Sequence, residues 1–307
     1  MTTIPSPTIA LPRPRAVPGE DFFRNLAHKH LDRVFQTAPV IPFDDSSRFI
    51  LFSDCHRGDG TSVDAFAANK ILFRQALSHY DEQGYSYIEV GDGDELWQNR
   101  LFRTIRQAHA PIFDLLHRFN EQNRLHLIFG NHDFQGGEQN GIWKDDLPTQ
   151  EGVILEHVKT GQRLFIVHGH QADWTSNNLF IFSKFVVRLF WRQFQKWGLA
   201  RVNVEWINPL HRTANEGRLV QRIEDRLSSW AEKHHQTIVC GHTHIPHLPS
   251  RGLPPYLNTG HCLSPGIVTG LEIRDGRVLP VKWVARGERG RERQLWTTPR
   301  LLTDVAG

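Results

Sequence analysis

The chain has 307 residues with 39% hydrophobic and 10% aromatic content, enough for a large core, which excludes an intrinsically disordered protein. Its formal net charge of +3 is too small to indicate a nucleic-acid partner, although eighteen histidines are many. Cys55, Cys240 and Cys262 show no Cys-x-x-Cys spacing, which fits a reducing compartment without structural disulfides.

Residues 1–20 hold Pro5, Pro7, Pro12, Pro14 and Pro18 and read as a flexible or extended arm. Those prolines stand where a signal peptide would carry its apolar core, so a cytoplasmic protein is expected. The spacing of Phe22, Phe23, Leu26, Leu31, Val34 and Phe35 predicts a helix over 21–36. A strand is expected at 48–52, running into Ser53-Asp54-Cys55-His56-Arg57-Gly58. In extended chain Asp54 and His56 share one face and Cys55 takes the other, so an oxygen and a nitrogen ligand meet one metal. Alone, that Asp-x-His is better explained as chance on a polar surface. A helix over 64–79, with Phe66, Ile71, Leu72, Ala76 and Leu77 inward, leads to a strand at 85–90. That strand ends in Gly91-Asp92-Gly93-Asp94-Glu95-Leu96-Trp97, where Asp-Gly turn chemistry competes with a site at a strand end.

One helix is expected over 105–120, followed by the apolar run Leu127-Ile128-Phe129 and the loop Gly130-Asn131-His132-Asp133. Asn131 offers a neutral oxygen ligand, His132 a proton near neutral pH, and Asp133 a carboxylate able to orient the imidazole. A hairpin is predicted from 152–158 to 162–167 across Lys159-Thr160-Gly161, and its second strand ends in His168-Gly169-His170. Residues 173–235 read as a helical insertion. Within 179–197, Lys184, Arg188, Arg192 and Lys196 recur every fourth position as a cationic stripe, opposite Phe182, Phe190, Phe194 and Trp197. Two readings stand there: a helix packed on the core, or a cap touching an amphiphilic substrate or an anionic membrane surface. The charges exclude a transmembrane helix. A buried strand at 237–240 ends in Gly241-His242-Thr243-His244, again with ligands two apart. Closing antiparallel strands are expected at 256–260 and 266–283, with a turn at Asp275-Gly276, and 286–307 reads as a basic mobile tail.

Strands alternating with helices imply a single layered α/β domain over 21–285. The strand-end residues Asp54, His56, Asp92, Asn131, His168, His242 and His244 supply nitrogen and oxygen ligands without a cysteine. Such a set suits two divalent transition metals better than one structural zinc, and the two oxygens of Asp92 allow it to bridge. Two ions of this kind clamp a phosphate and share a hydroxide placed in line with the leaving group.

Together these motifs resemble the calcineurin-like metallophosphoesterase superfamily, whose pattern runs Asp-x-His, Gly-Asp-x-x-(Asp/Glu/Asn), Gly-Asn-His-(Asp/Glu), His and Gly-His-x-His. The resemblance spans 48–283 and implies a two-sheet sandwich flanked by helices. It implies one metal on Asp54, His56, Asp92 and His244, and a second on Asp92, Asn131, His168 and His242. His132, with Asp133 beside it, then protonates the leaving oxygen or steadies the transition state. Manganese is the expected metal, and iron, zinc or nickel suit the same ligands. Within the superfamily the chain is similar to the UDP-2,3-diacylglucosamine hydrolase-like branch at Gly91-Asp92-x-x-Glu95-x-Trp97 and in its helical insertion. It differs at His132 and His170, where that branch carries Arg and Asp. That similarity implies hydrolysis of a phosphoester or pyrophosphate bond, by a metal-bound hydroxide, in a nucleotide-linked or lipid-like substrate. Arg57, Glu95, Trp97, His170, Arg188 and Arg192 are then the expected substrate residues, with peripheral contact at the inner membrane face. The alternative is a phosphoprotein or nucleotide phosphatase or phosphodiesterase without lipid specificity. A non-catalytic scaffold of this fold would be expected to lose ligands, and none is lost here. A nuclease would want a stronger basic surface.

Overall fold

The structure, a computed structural model, describes residues 19–99, 101–133, 142–173, 214–250, 252–287 and 290–305. In chain order its elements are α1 (Glu20–Thr37), β1 (Val40–Phe43), β2 (Phe49–Phe52), α2 (Lys70–Glu82), β3 (Ser86–Val90), α3 (Phe102–Ala108), α4 (Ala110–Glu121), β4 (Leu125–Ile128), β5 (Ile142–Lys144) and β6 (Leu147–Gln150). They continue with β7 (Gly152–His157), β8 (Arg163–Val167), α5 (Ala214–His234), β9 (Thr237–Cys240), β10 (Tyr256–Asn258), β11 (Ile267–Arg274), β12 (Arg277–Arg286), β13 (Gly290–Leu295) and β14 (Arg300–Leu301).

Every residue of β2 and of β9 is buried, the pattern of strands covered on both faces. The strands form two sheets, ordered β1-β7-β8-β9-β10 and β13-β12-β11-β2-β3-β4-β6-β5, with β14 paired to β12. Strands β2, β3, β4 and β6 run parallel, and β11, β12 and β13 extend that sheet antiparallel. Leu51, Ile88, Val90 and Ile128 of one sheet meet Val153, Leu155, Leu164, Ile166 and Val239 of the other. Each such buried aliphatic side chain contributes about 1.5–3 kcal/mol, so this layer is the main cohesive element. On the far face of the larger sheet, Ile50, Phe52, Tyr87 and Leu127 pack against Phe73, Leu77, Phe113 and Leu116 of α2 and α4. On the far face of the smaller, Ile154, Phe165 and Ile238 pack against Leu31 and Val34 of α1 and Leu227 and Trp230 of α5. The result is the expected two-sheet sandwich flanked by helices.

Several local expectations change. The predicted helix over 105–120 is two helices, because His109 leaves helical geometry and Pro111, near the start of α4, lacks the N–H that would continue the ladder. The helix expected from Asp64 begins at Lys70, after a 3₁₀ turn over Ala67–Asn69. Asp64 instead accepts the N–H groups of Gly60 and Phe66 and bonds His109 Nε2 at 2.9 Å, holding the loop after β2 against the α3–α4 break. Ile71, expected inward, is 65% exposed. Strand β10 lies parallel to β9, not antiparallel as expected, since the chain crosses between them through a long loop. The tail is ordered from Gly290 to Val305, and β13 pairs along β12. The reason is Arg293, whose guanidinium binds both oxygens of the buried Glu272, which also accepts the Tyr80 hydroxyl. The Asp275-Gly276 turn forms as expected, with both residues at positive φ and the register Arg274↔Arg277. The helix expected over 179–197, with Arg188 and Arg192, lies outside the described residues. No described helix is long and apolar enough to cross a membrane.

Candidate metal centre

The loops that leave β2, β3, β4, β8 and β9 converge at one end of the two sheets and bond to one another. Asp54 N–H donates to Gly91 O, His56 N–H to Asp92 O, Arg57 N–H to Gly93 O and Gly241 N–H to His168 O, at 2.9–3.0 Å. These loops are not extended chain. Asp54, His56, Asp92, His242 and His244 lie in the left-handed region, with φ from 48° to 65°, and each such residue is held there at a cost. Asp54 and His56 therefore converge through a turn rather than through strand alternation. The glycines of the motifs serve close approach. A Cβ at Gly91 would collide with the His168 ring, at Gly130 with the Asp92 carboxylate and at Gly241 with the Asp54 carboxylate.

The candidate ligands fall into overlapping clusters: Asp54, His56 and His244; Asp92, His168 and His242; and His56, Asp92 and His132. Within each, one potential ligand atom per residue lies within 4.8 Å of the others. Asp54 Oδ2 accepts the Ser53 hydroxyl and the His242 N–H, while Oδ1 faces the site, 3.0 Å from His244 Nε2. Asp92 Oδ1 accepts the His132 N–H at 2.8 Å, and its Oδ2 lies 3.2 Å from His168 Nε2 and 3.6 Å from His56 Nε2. A single oxygen thus stands between the two halves of the site.

The remaining nitrogen of each key imidazole is already committed. His168 Nδ1–H donates to Val90 O at 2.8 Å, and His56 Nδ1 bonds Glu95 Oε2 at 3.0 Å. Asp54 Oδ1, His56 Nε2, Asn131 Oδ1 and His168 Nε2 are buried without a hydrogen-bond partner among the described residues. Orphaned buried polar atoms are rare because desolvation is costly. Asp54 Oδ1, His56 Nε2 and His168 Nε2 crowd against facing charged atoms of the same clusters at 3.0–3.8 Å, and such a donor set, with a buried amide oxygen in the adjoining loop, fits divalent cations held by carboxylate, amide and imidazole.

Electrostatics keep the carboxylates charged. Burial alone would raise Asp54 and Asp92, yet His244 beside the first and His168 beside the second hold both well below the usual range. Burial likewise opposes Glu95, but His132 and His56 bring it down to about 2. Burial pushes His244 down, and with His168 and His242 it pushes His170 well down, so both favour the neutral ring. Against burial, Asp92 lifts His168 to about 9, an ion pair that a bound cation would replace.

Around this centre the structure reassigns several residues expected in other roles. The Asp133 carboxylate, expected at His132, accepts the N–H groups of Gly130 and Asp94 and ties its own loop to the loop after β3. Glu95 takes the imidazole, at 2.9 Å and 3.0 Å from His132 Nδ1, and it holds His56 at the same time. Trp97, expected at the substrate, stacks on the His132 ring at 4.0 Å and donates its Nε1–H to Asn131 O. Arg57, expected at the substrate, is wholly buried, with Nη1 and Nη2 on Glu89 at 2.7 Å and 2.9 Å and Nε on Asp94 at 2.7 Å. His170 is buried beside His168, with the rings 5.5 Å apart. Arg188 and Arg192 lie outside the described residues. Ser53, Asp173 and His261 also border the ligands, Asp173 at 3.4 Å from His242 Nε2 and His261 stacked on His244. No spacing in the sequence singles these three out.

A metal-binding cluster at the strand ends of a two-sheet sandwich is the arrangement of a metallophosphoesterase. The family model described as calcineurin-like phosphoesterase matches residues 47–246, and the chain belongs to that family. It is a hydrolase acting on phosphoester bonds. Among solved structures it is similar to vacuolar protein sorting 29 from Cryptosporidium parvum, at 12% identity and TM-score 0.41, over 84% of this chain and 100% of that one. It is also similar to Vps29 from Chaetomium thermophilum, at 10% identity and TM-score 0.37, over 83% and 99%. No curated protein matches the chain in sequence.

Proposed function

We propose that the protein is a dinuclear metal-dependent phosphohydrolase. One ion is held by Asp54, His56, Asp92 and His244, and the other by Asp92, Asn131, His168 and His242. The observation that supports this most directly is the crowding of buried carboxylate and imidazole atoms from both halves around Asp92 Oδ2, without well-directed hydrogen bonds among the described residues. When bound, divalent ions supply positive charge against phosphoryl oxygens and acidify water. Manganese suits this donor set, as do iron, zinc and nickel.

His132 is the general acid of this reading. Its Nδ1–H is fixed by the ionised Glu95, so Nε2 is the nitrogen that passes a proton to a leaving oxygen. Trp97 holds the ring plane, with an interplanar angle of 19°. At 23% exposure the His132 side chain reaches the mouth of a site whose other imidazoles are more deeply buried.

The bond cleaved is a phosphoester or phosphoanhydride. Support for a nucleotide-linked or lipid-like remainder, and for peripheral contact with the inner membrane face, comes from the aromatic and basic stretch 179–197, and support for a cytoplasmic protein comes from three cysteines without Cys-x-x-Cys spacing. The match to the UDP-2,3-diacylglucosamine hydrolase-like branch at Glu95 and Trp97 carries no substrate, because both residues serve His132. The test is a screen of manganese-loaded protein against an aryl phosphate monoester, an alkyl diester and a nucleotide-linked lipid pyrophosphate, with and without chelator. Hydrolysis of at least one, lost on chelation and restored by manganese, is expected. Full hydrolysis after exhaustive metal removal would overturn the reading.

A further inference from the structure

Asp173 is 5% exposed, and its Oδ2 lies 3.4 Å from His242 Nε2. It reaches that place from a short 3₁₀ turn, His170–Ala172, that follows β8. Gly169 opens the turn at φ 108°, where a Cβ would sit in contact with Cys240, His242 and Leu227. The backbone closes it through Ala172 N–H on Gly169 O and Asp173 N–H on His170 O. From outside, Arg226 of α5 donates Nη1–H to Ala172 O at 2.9 Å while its other nitrogens bind Glu20 of α1. The carboxylate is therefore delivered by a braced turn and not by a loose loop.

We infer that Asp173 is a positioning residue that fixes the ring and tautomer of His242. Nε2–H donates to the carboxylate, and this leaves Nδ1 as the nitrogen with the lone pair, which is the one able to bind a cation. The inference rests on the dinuclear reading above. A role as a further ligand does not fit, because Asp173 belongs to none of the described clusters whose ligand atoms lie within 4.8 Å of one another. Glu95 does the same for His56, and the Val90 carbonyl does it for His168, each through the nitrogen turned from the site. Loss of such a partner typically weakens metal affinity about 10- to 100-fold. The loss should fall on the ion that His242 shares with Asp92, Asn131 and His168.

The experiment titrates metal-free parent, Asp173→Ala and Asp173→Asn proteins with manganese(II). It follows stoichiometry by elemental analysis and the spin-coupled manganese pair by electron paramagnetic resonance. The parent is expected to bind two ions and to show the coupled signal. Asp173→Ala should bind one ion as the parent does and the other about 10- to 100-fold more weakly, losing the coupled signal at manganese concentrations that saturate the parent. Asp173→Asn keeps an oxygen acceptor for Nε2–H and should recover most of the loss. The inference is overturned if Asp173→Ala matches the parent, if it weakens both ions alike, or if Asp173→Asn fails to recover. Should Asp173→Ala not fold, Asp173→Asn alone decides: parent-like binding supports the inference and loss of the second ion overturns it. A parent that binds fewer than two ions overturns the dinuclear reading itself, and this inference with it.

Discussion

Replacing Arg57 by Met separates a buried tie from a substrate contact. The guanidinium is fully buried and donates to both oxygens of Glu89 and to Asp94 Oδ1, so the substitution strips three carboxylate oxygens of a charged donor at once. Breaking a buried ion pair from one side typically costs about 3–5 kcal/mol, because the partner charge stays buried. At ~2–4 °C per kcal/mol for a large domain, the melting temperature should fall by ~6–20 °C. Methionine fills most of the space of the arginine stem, so the loss is of charge pairing more than of packing. Thermal melting by circular dichroism gives the stability, and initial rates on an aryl phosphate well below the melting temperature give KM and kcat. The expected outcome is a large fall in melting temperature with KM unchanged. Adding Glu89→Gln, which removes a stranded charge, should recover part of the loss. A variant that melts like the parent but has a raised KM would refute the reasoning, since the guanidinium would then be reaching substrate.

Asp92→Ala should leave the fold intact and lower metal content on both sides of the site, because Oδ2 faces His56 and His168 alike; full occupancy by elemental analysis would remove the bridging assignment. His132→Ala should slow alkyl ester hydrolysis ~10²–10⁴-fold and p-nitrophenyl ester hydrolysis far less, since only the poor leaving group needs the proton. Equal losses on the two esters would count against an acid role. Arg293→Ala removes the clamp on Glu272 and should cost about 1.5–3 kcal/mol, with new protease cleavage in β13 and unchanged activity. A β13 that stays protected would show that strand pairing alone holds it.

The strands that carry the site were legible because they are buried on both faces and so read as short apolar runs ending abruptly in polar chemistry. All seven candidate ligands follow such runs, and the structure gathers the six carboxylates and imidazoles among them into overlapping clusters. What the sequence hid are partnerships made through space. Asp133 adjoins His132 in the chain, yet its carboxylate ties its own loop to the loop after β3, while Glu95, from that second loop, takes the imidazole. Arg57 is expected at the substrate, but Glu89 points from β3 into the helix-covered layer and draws it inside. The charged tail looked solvated until Glu272, on a strand 21 residues earlier, supplied a partner for Arg293. Local pattern reports which face of an element is apolar. It does not report which distant polar group will meet another.

The left-handed backbone at Asp54, His56, Asp92, His242 and His244 also sets a direction in which this chain can change. For a residue with a Cβ that conformation costs roughly 1–2 kcal/mol against the right-handed one, and glycine escapes most of it. Glycine should therefore relieve strain in the metal-free protein at His56, His242 and His244 while erasing a candidate ligand, whereas at Asp54 and Asp92 it would also strand the N–H groups their carboxylates accept. Backbone comfort and the candidate ligand set pull in opposite directions at the three imidazoles. A copy of this gene freed from its reaction would gain by abandoning these side chains, and would keep the sandwich long after it had lost the metal.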